Sequence, residues 1–513
     1  MKRILVAFGL MIAVISGARA ESVLRTMITT DIRGLMPGNS PDDNTGTVLQ
    51  NIYEGLVAWR ADGTVAPMLA RDIGVSSDGR TYTFTLRDGV SFHNGAPLSS
   101  REVVWTWERF LDPKSSWPCR TNFDGTRQIK IVGIEAPSPA QVVFRLAEPS
   151  GAFLSMMARA DCDGTGIAHP DSVGPEGVWK AAIGTGPFRL TEWRRGQFIE
   201  LARSENYVAR SEPADGLSGA KLAKVDRVRL TMIPDPAAAK AAMRSGDLEL
   251  WPAIDPKFAP ELKAASLIVA SSPVASLNTV VMQTNDPLLK DKRIREAIAA
   301  SLDYQSMSDT LTDGYAKPST SLVPMSSRYF GEVEKSGRGY DLARAKKLLA
   351  DAGYKGQPIK VTTNSRFAVM NDVAVLVQAM AQQAGINISV EVMEFATQLS
   401  RYAKGDYQLM VWNYTPYLDP VFGLDRFIGD KSAQPDRVWS NPQAIALLAK
   451  LMDTASPDAR QPLFDQLHGL FMDDTPMIVW SSGVNVSAYS KAVRGYEPWP
   501  GRKPRFWNVE VIR

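Results

Sequence analysis

The segment LMVWNYTPYLDP, Leu409 to Pro420, carries groups that could hold a polar solute. Leu409, Met410 and Val411 begin it as a buried strand does. Trp412, Asn413, Tyr414, Thr415 and Tyr417 follow, rings and short side chains with polar tips. Flat rings offer contact area, and their N–H or O–H tips fix a ligand's orientation. Aromatic residues after a strand are also ordinary core. Groups for covalent chemistry do not assemble in the same way. Carboxylates are adjacent at Asp42-Asp43 and Asp473-Asp474. Chain neighbours point in different directions, and both pairs fall at loops or helix ends, so neither reads as a general acid and base. His93, His169 and His468 are scattered, and no C-x-x-C or H-E-x-x-H spacing occurs. The sequence therefore predicts no metal site, no cofactor and no enzyme. Gly184, Gly186 and Pro187 read as a structural turn, because no G-x-x-x-x-G-K-[ST] phosphate cradle follows.

Residues 1–20 stand apart from this chemistry. Lys2 and Arg3 precede an apolar run from Ile4 to Ile15, and Ala18 and Ala20 form an A-x-A pattern before Glu21. This is the pattern of an export signal cleaved after Ala20. A run of about a dozen apolar residues is too short to span a bilayer. No Cys follows it, so the mature chain is expected in the periplasm without a lipid anchor. Removing Lys2, Arg3 and Arg19 from the 58 basic residues leaves 55, equal to the 55 acidic ones. A neutral chain gives no case for a nucleic-acid surface. Cys119 and Cys162 both lie in polar, turn-rich stretches. In an exported chain a disulfide between them is the natural reading, with two free thiols as the alternative.

The elements that must position these groups are legible from period and caps. Residues 22–32 read as a first strand, and residues 47–57, TVLQNIYEGLV, as a helix with Val48, Ile52 and Leu56 on one face. Tyr82, Phe84 and Leu86 alternate with threonines as a strand with one buried face. Ser99 and Glu102 form a capping box for a helix ended by Pro113. Its Val104 and Trp105 are expected to pack on a sheet. From about residue 277 strands and helices alternate. Ile294, Ala297, Ile298 and Leu302 make one helical stripe, Asp341 caps a second helix, and Ser456 with Pro457 opens a third. Open sheets covered by helices bind ligands at loops beyond strand ends. VTTNSRF and LMVWNYTPY are strand-then-loop segments of that kind.

Several stretches, in order, resemble the solute-binding proteins of the peptide/nickel ABC-transporter family (family 5, dipeptide- and oligopeptide-binding type). They are NIYEGLVAWRADGTVAPMLARD, SSDGRTYTFTLRDGVSFHNGAPLSSREVVWTWERF, GTGPFRLTEW, RSGDLEL, DKRIREAIAASLDY, DGYAKPSTSLVP and YDLARAKKLLADAGY. The resemblance covers nearly the whole mature chain. It implies an α/β, two-lobed periplasmic binding fold with an extra subdomain in the first lobe (cluster C type) and two crossover strands. The first lobe is expected at 21–276 plus 486–513, with the inserted subdomain at about 66–189, and the second at 277–485. The crossovers would be LNTVVMQTN and MIVWSSGVN. The implied partners are a short peptide or polar small molecule and the membrane subunits of an ABC permease, with the chain a monomer. The expected ligand-binding residues are Trp412, Asn413, Tyr414, Thr415, Tyr417, Arg366 and Trp480. Arg366 follows VTTNS where relatives hold a ligand carboxylate, although a solvent-facing arginine fits equally well. Peptide-binding relatives place an acid three positions after the Trp, to pair with the free amine. Here that position is Thr415, which leaves opine-like, sugar-conjugated or metal-chelate solutes as alternatives. Asp419 reads as a turn and cap residue.

Overall fold

The computed structural model describes residues 21–38, 42–115, 117–127, 129–415 and 417–512. The expected export signal, 1–20, and Pro416 lie outside them. The architecture centres on two long antiparallel strands, Ile268–Met282 and Met477–Tyr489. Their register runs from Ile268 opposite Tyr489 to Val281 opposite Met477. They sit inside a six-stranded sheet. Leu250–Trp251 flanks one side, and Leu409–Tyr414, Ile359–Asn364 and Ile388–Met393 extend the other. The last three pair in parallel, as strands joined through helices must.

Two four-stranded sheets complete the core framework. One orders Val23–Ile28, Arg227–Met232, Phe198–Arg203 and Phe188–Arg194. The other orders Ala70–Val75, Thr81–Leu86, Gln141–Leu146 and Ile131–Ser138. In Thr81–Leu86 the alternation expected from sequence is realised, with Tyr82, Phe84 and Leu86 buried. The helix Ser100–Leu111 packs on this sheet, and its Ser99/Glu102 capping box is formed. The residues it buries differ from those expected. Val103, Trp107 and Phe110 face the sheet, and Trp107 meets Phe144 edge-on at 5.1 Å. Trp105 is partly exposed beside Trp179, with the Arg109 guanidinium near both rings. Residues 103, 107 and 110 lie three or four apart and so share one stripe, which leaves 104 and 105 off it.

The early helix is also shorter than expected, Asp43–Leu49. The carbonyls of Asn51 and Ile52 accept from Phe188 and Gly186 instead of from a following helical turn. Tertiary bonding has replaced the last helical turns. Cys119 and Cys162 are bridged, with Cα atoms 6.0 Å apart. The bridge joins the large apolar core that also contains Trp107, Trp117 and Phe123. Helices Pro442–Asp453 and Pro457–Asp474 belong to the same core. A second core packs Ile294, Ala297 and Ile298 of the helix Lys292–Ala300 against Val361, Leu409 and Val411 of the sheet.

Candidate ligand-binding cavity

A cavity of about 850 Å³ opens where the two long strands lose regular pairing. The register shifts between Pro273 and Leu277, and again between Asn278 and Thr279. Ser276, Asn278 and Gly483 form part of the lining there. A Cβ on Gly483 would lie 2.1 Å from Ser276 Oγ, so a larger residue there would push that hydroxyl aside. Asn278 Nδ2 donates to Ser481 Oγ at 2.9 Å, which fixes one amide at the strand crossing.

The end of the strand Leu409–Tyr414 forms part of the wall. Asn413 and Thr415 are exposed and line the cavity, and Tyr414 between them contributes to the lining while its ring is buried on the other face. Trp480, in the strand Met477–Tyr489, lines it as well. Its side chain is only 2% exposed, and its indole N–H lacks a hydrogen-bond partner. Four of the residues expected from sequence thus converge: Asn413, Tyr414, Thr415 and Trp480.

The other three lie elsewhere. Successive residues of a strand face opposite ways, and Trp412 turns from Asn413 onto the helix Phe395–Lys404. Its ring stacks on Tyr402, centroids 4.1 Å apart and planes 2° from parallel. Tyr414 shares that face, and its hydroxyl lies 3.1 Å from the Tyr402 hydroxyl. Burial pushes the Tyr414 phenol well up and that of Tyr402 up to about 12, so both stay protonated. Tyr417 sits beneath the Arg159 guanidinium, 5.3 Å from its ring, and its N–H donates to Ala275 O. Arg366 is exposed, with its guanidinium near the rings of Phe367 and Phe395 and its N–H donating to Asn364 Oδ1.

Asp419 does cap a helix. Its carboxylate accepts from Val421 N at 3.1 Å, at the start of Pro420–Leu424. It is also held by Arg460 through two bonds of 2.8 and 3.0 Å, fully inside the protein.

Sequence reasoning passed over the charges of the cavity. Asp255, Lys257, Asp313, Asp372 and Arg502 line it. Lys257 is held by Asp255 at 2.6 Å, and that bond with its charge raises the ammonium's pKa. Arg502 pairs with Asp43. Asp313 and Asp372 have no hydrogen-bond or ion-pair partner among the described residues, which leaves two carboxylates open to the cavity. Asp313 sits at a helix C-terminus in a left-handed conformation, φ 48°. Asp372 lies in the second turn of the helix Ala368–Gln383. Nothing in their local sequence distinguishes either from a solvated surface acid. Among the described residues no group of His, Cys, Asp and Glu is arranged to hold a metal ion.

Comparison with known proteins places this geometry. The model of the bacterial extracellular solute-binding proteins, family 5 (middle region), matches residues 64–434. The oligopeptide-binding protein OppA of Bacillus subtilis is 25% identical over 491 residues, covering 90% of this chain and 87% of its own. The solved ABC transporter substrate-binding protein CtaP of Listeria monocytogenes superposes with a TM-score of 0.81 at 25% identity, covering 96% of this chain and 100% of its own. The periplasmic binding protein DppA of Helicobacter pylori, solved with the peptide STSA, superposes with a TM-score of 0.75 at 22% identity, covering 96% and 99%.

Proposed function

The chain belongs to the bacterial extracellular solute-binding proteins, family 5, and on that premise we propose that it captures a short peptide or peptide-like polar solute between two lobes and delivers it to the membrane subunits of an ABC importer. Its fold is the two-lobed α/β fold of the family. It is a transport binding protein and not an enzyme. No helix among the described residues is long and apolar enough to cross a membrane. We infer that residues 1–20 are the export signal, and protein recovered from the periplasm is expected to begin at Glu21.

The observation that carries the ligand reading is the cavity of about 850 Å³ with its two open carboxylates. A buried ammonium needs a counter-charge. Thr415 cannot supply one, but Asp313 and Asp372, which line the same cavity, can. Asn413 and Asn278 offer hydrogen bonds of the kind peptide carbonyls and N–H groups use. We place the first lobe at 21–276 plus 486–513, with the inserted subdomain at 66–189, and the second lobe at 277–485. Asp255, Lys257 and Arg502 then come from the first lobe and Asn413, Thr415, Trp480, Asp313 and Asp372 from the second, so a bound solute touches both and favours closure.

Isothermal titration of ligand-stripped protein tests the reading. Di- and tripeptides with a free amine are expected to bind, and Asp372→Asn is expected to weaken them about tenfold, the loss of one charge-assisted bond. Native mass spectrometry of protein purified without denaturation reads any retained solute by mass. Binding of opine-type or sugar-conjugated solutes, with no peptide heat at millimolar concentration, would overturn the peptide assignment and move it to that class.

A further inference from the structure

The solute cavity holds a cation of its own beside its open carboxylates. Asp255 opens the short turn Pro256–Phe258 and accepts from Lys257 N at 3.1 Å. The same carboxylate holds the Lys257 ammonium at 2.6 Å. A turn capped in this way and running into the helix Ala259–Ala264 fixes where the pair sits. Both residues are exposed and line the cavity.

A second contact brings the other acids to the same place. Tyr315 packs against the apolar cluster that contains Trp251, Ile254, Ala259 and Leu262, with the Lys263 ammonium 5.2 Å from its ring. The loop 313–315 of the proposed second lobe is thereby laid on residues 251–263 of the proposed first lobe. Asp313 is two residues from Tyr315, at the end of the helix Tyr304–Thr312. That helix touches the helix Ala368–Gln383, which carries Asp372. Lys257 senses both acids. The bond to Asp255 and its charge raise the ammonium's pKa most, and the charges of Asp313 and Asp372 add to that.

No ion pair closes between Lys257 and Asp313 or Asp372 among the described residues, so these two stay open while the cation keeps its place beside Asp255. Arg502, another cation of the cavity, is paired with Asp43. Lys257 thus offsets one of three negative charges, those of Asp255, Asp313 and Asp372. A solute ammonium that approaches them meets a like charge already in place, which reduces the attraction. A solute without a positive group meets no such opposition.

We propose that Lys257 sets the charge selectivity of the solute cavity: its ammonium is the built-in counter-ion of Asp255, Asp313 and Asp372, and a cationic group on the solute must compete with it for them. The inference rests on the solute reading of this cavity and adds the residue that limits its preference for free amines.

Two measurements on the full mature chain test it. The first needs no solute. Acetic anhydride modifies a lysine only as the neutral amine. The acetylation rate of Lys257, read by peptide mass spectrometry against the exposed Lys355, therefore reports how firmly its charge is held. Asp313→Asn with Asp372→Asn is expected to raise that rate about two- to fivefold, the worth of exposed charge pairs. Asn also accepts the left-handed backbone at 313. An unchanged rate overturns the proposal, since the acids then do not hold the cation. The second is calorimetry with trialanine and N-acetyl-trialanine. Lys257→Met is expected to bind trialanine about two- to fivefold more tightly and the acetylated peptide as the wild type does, with Lys257→Arg matching the wild type for both. An equal change for the two peptides, or trialanine bound with the same affinity by wild type and Lys257→Met, overturns the proposal. An acetylation rate that responds while wild type and Lys257→Met bind neither peptide supports the counter-ion role and overturns the peptide reading alone.

Discussion

Residue 415 is where the proposed peptide reading can be tested with one side chain. Thr415 is exposed on the cavity wall and neutral. Thr415→Asp adds a third carboxylate there, and peptides with a free amine are expected to bind about tenfold more tightly, since a bond to a charged group contributes about 1.5–3 kcal/mol. Calorimetry with the same peptides N-acetylated is the control, and an equal gain for those would refute the charge argument. His93 shows a different residue-scale effect. Its Nε2 lies 3.0 Å from Gly186 O, and Gly184 N donates to its Nδ1 at 3.4 Å. Desolvation lowers its pKa from 6.5 to about 4. As pH falls below 6.5 the unfolded chain takes up this proton and the folded one does not. The stability is present above pH 6.5 and lost towards pH 4, by at most about 3 kcal/mol at 1.36 per pKa unit. Urea unfolding at pH 7 and pH 4.5 checks this. The stability difference between the wild type and His93→Gln is expected to shrink on acidification.

Elements show how far local signals reach. The turn at Gly184 and Gly186 is structural, as its sequence suggests. A Cβ on Gly184 would lie 2.1 Å from Ile52 O, and one on Gly186 2.7 Å from Asn51 O and Ile52 O. This close approach is also what ends the helix Asp43–Leu49 early. Caps, alternation and the helical stripe at Ile294, Ala297 and Ile298 were legible because they depend on neighbours within a turn or a pleat. The true end of the early helix was not, because its carbonyls are taken by residues 186–188, far away in sequence. The Cys119–Cys162 bridge closes a loop with a sequence separation of 43. Cys119→Ser with Cys162→Ser is expected to lower unfolding free energy by about 3–4 kcal/mol. Denaturant midpoints of the oxidised wild type and the double variant measure it, and equal midpoints would contradict the role. Arg460→Met strands the buried Asp419 carboxylate, and a loss of about 3–5 kcal/mol is expected by the same measurement.

On the scale of the whole molecule, function rests on contact between distant chain segments. The Arg159 guanidinium lies 5.3 Å from the Tyr417 ring and 5.2 Å from that of Phe422. Gly151 comes so near Asp453 that a Cβ would lie 2.4 Å from its carbonyl oxygen. These contacts join the proposed inserted subdomain to the proposed second lobe. Arg159→Ala removes a cation–π contact of about 0.5–2 kcal/mol and is expected to favour an open arrangement by a few-fold or more. Small-angle scattering of ligand-free protein is expected to give a larger radius of gyration for the variant, and saturating solute to restore the wild-type value. An unchanged radius in the variant would assign the Arg159 contacts to packing alone.

The sequence by itself determined the order of elements, the helix caps and the family, while the Cys119–Cys162 bridge was decided only by the structure. The first three are carried by short-range pattern or by ordered motifs along one chain. It also marked Leu409–Pro420 as a strand that runs into a polar, ring-bearing loop. Tertiary structure alone decided which of those rings meets the cavity. Strand alternation sends Trp412 to Tyr402 and Asn413 to the cavity, and the face that is open depends on which helix covers the other. The charges at Asp313 and Asp372 were undecidable for the same reason. An exposed acid becomes a site only when folding sets a cavity before it and leaves it without a partner.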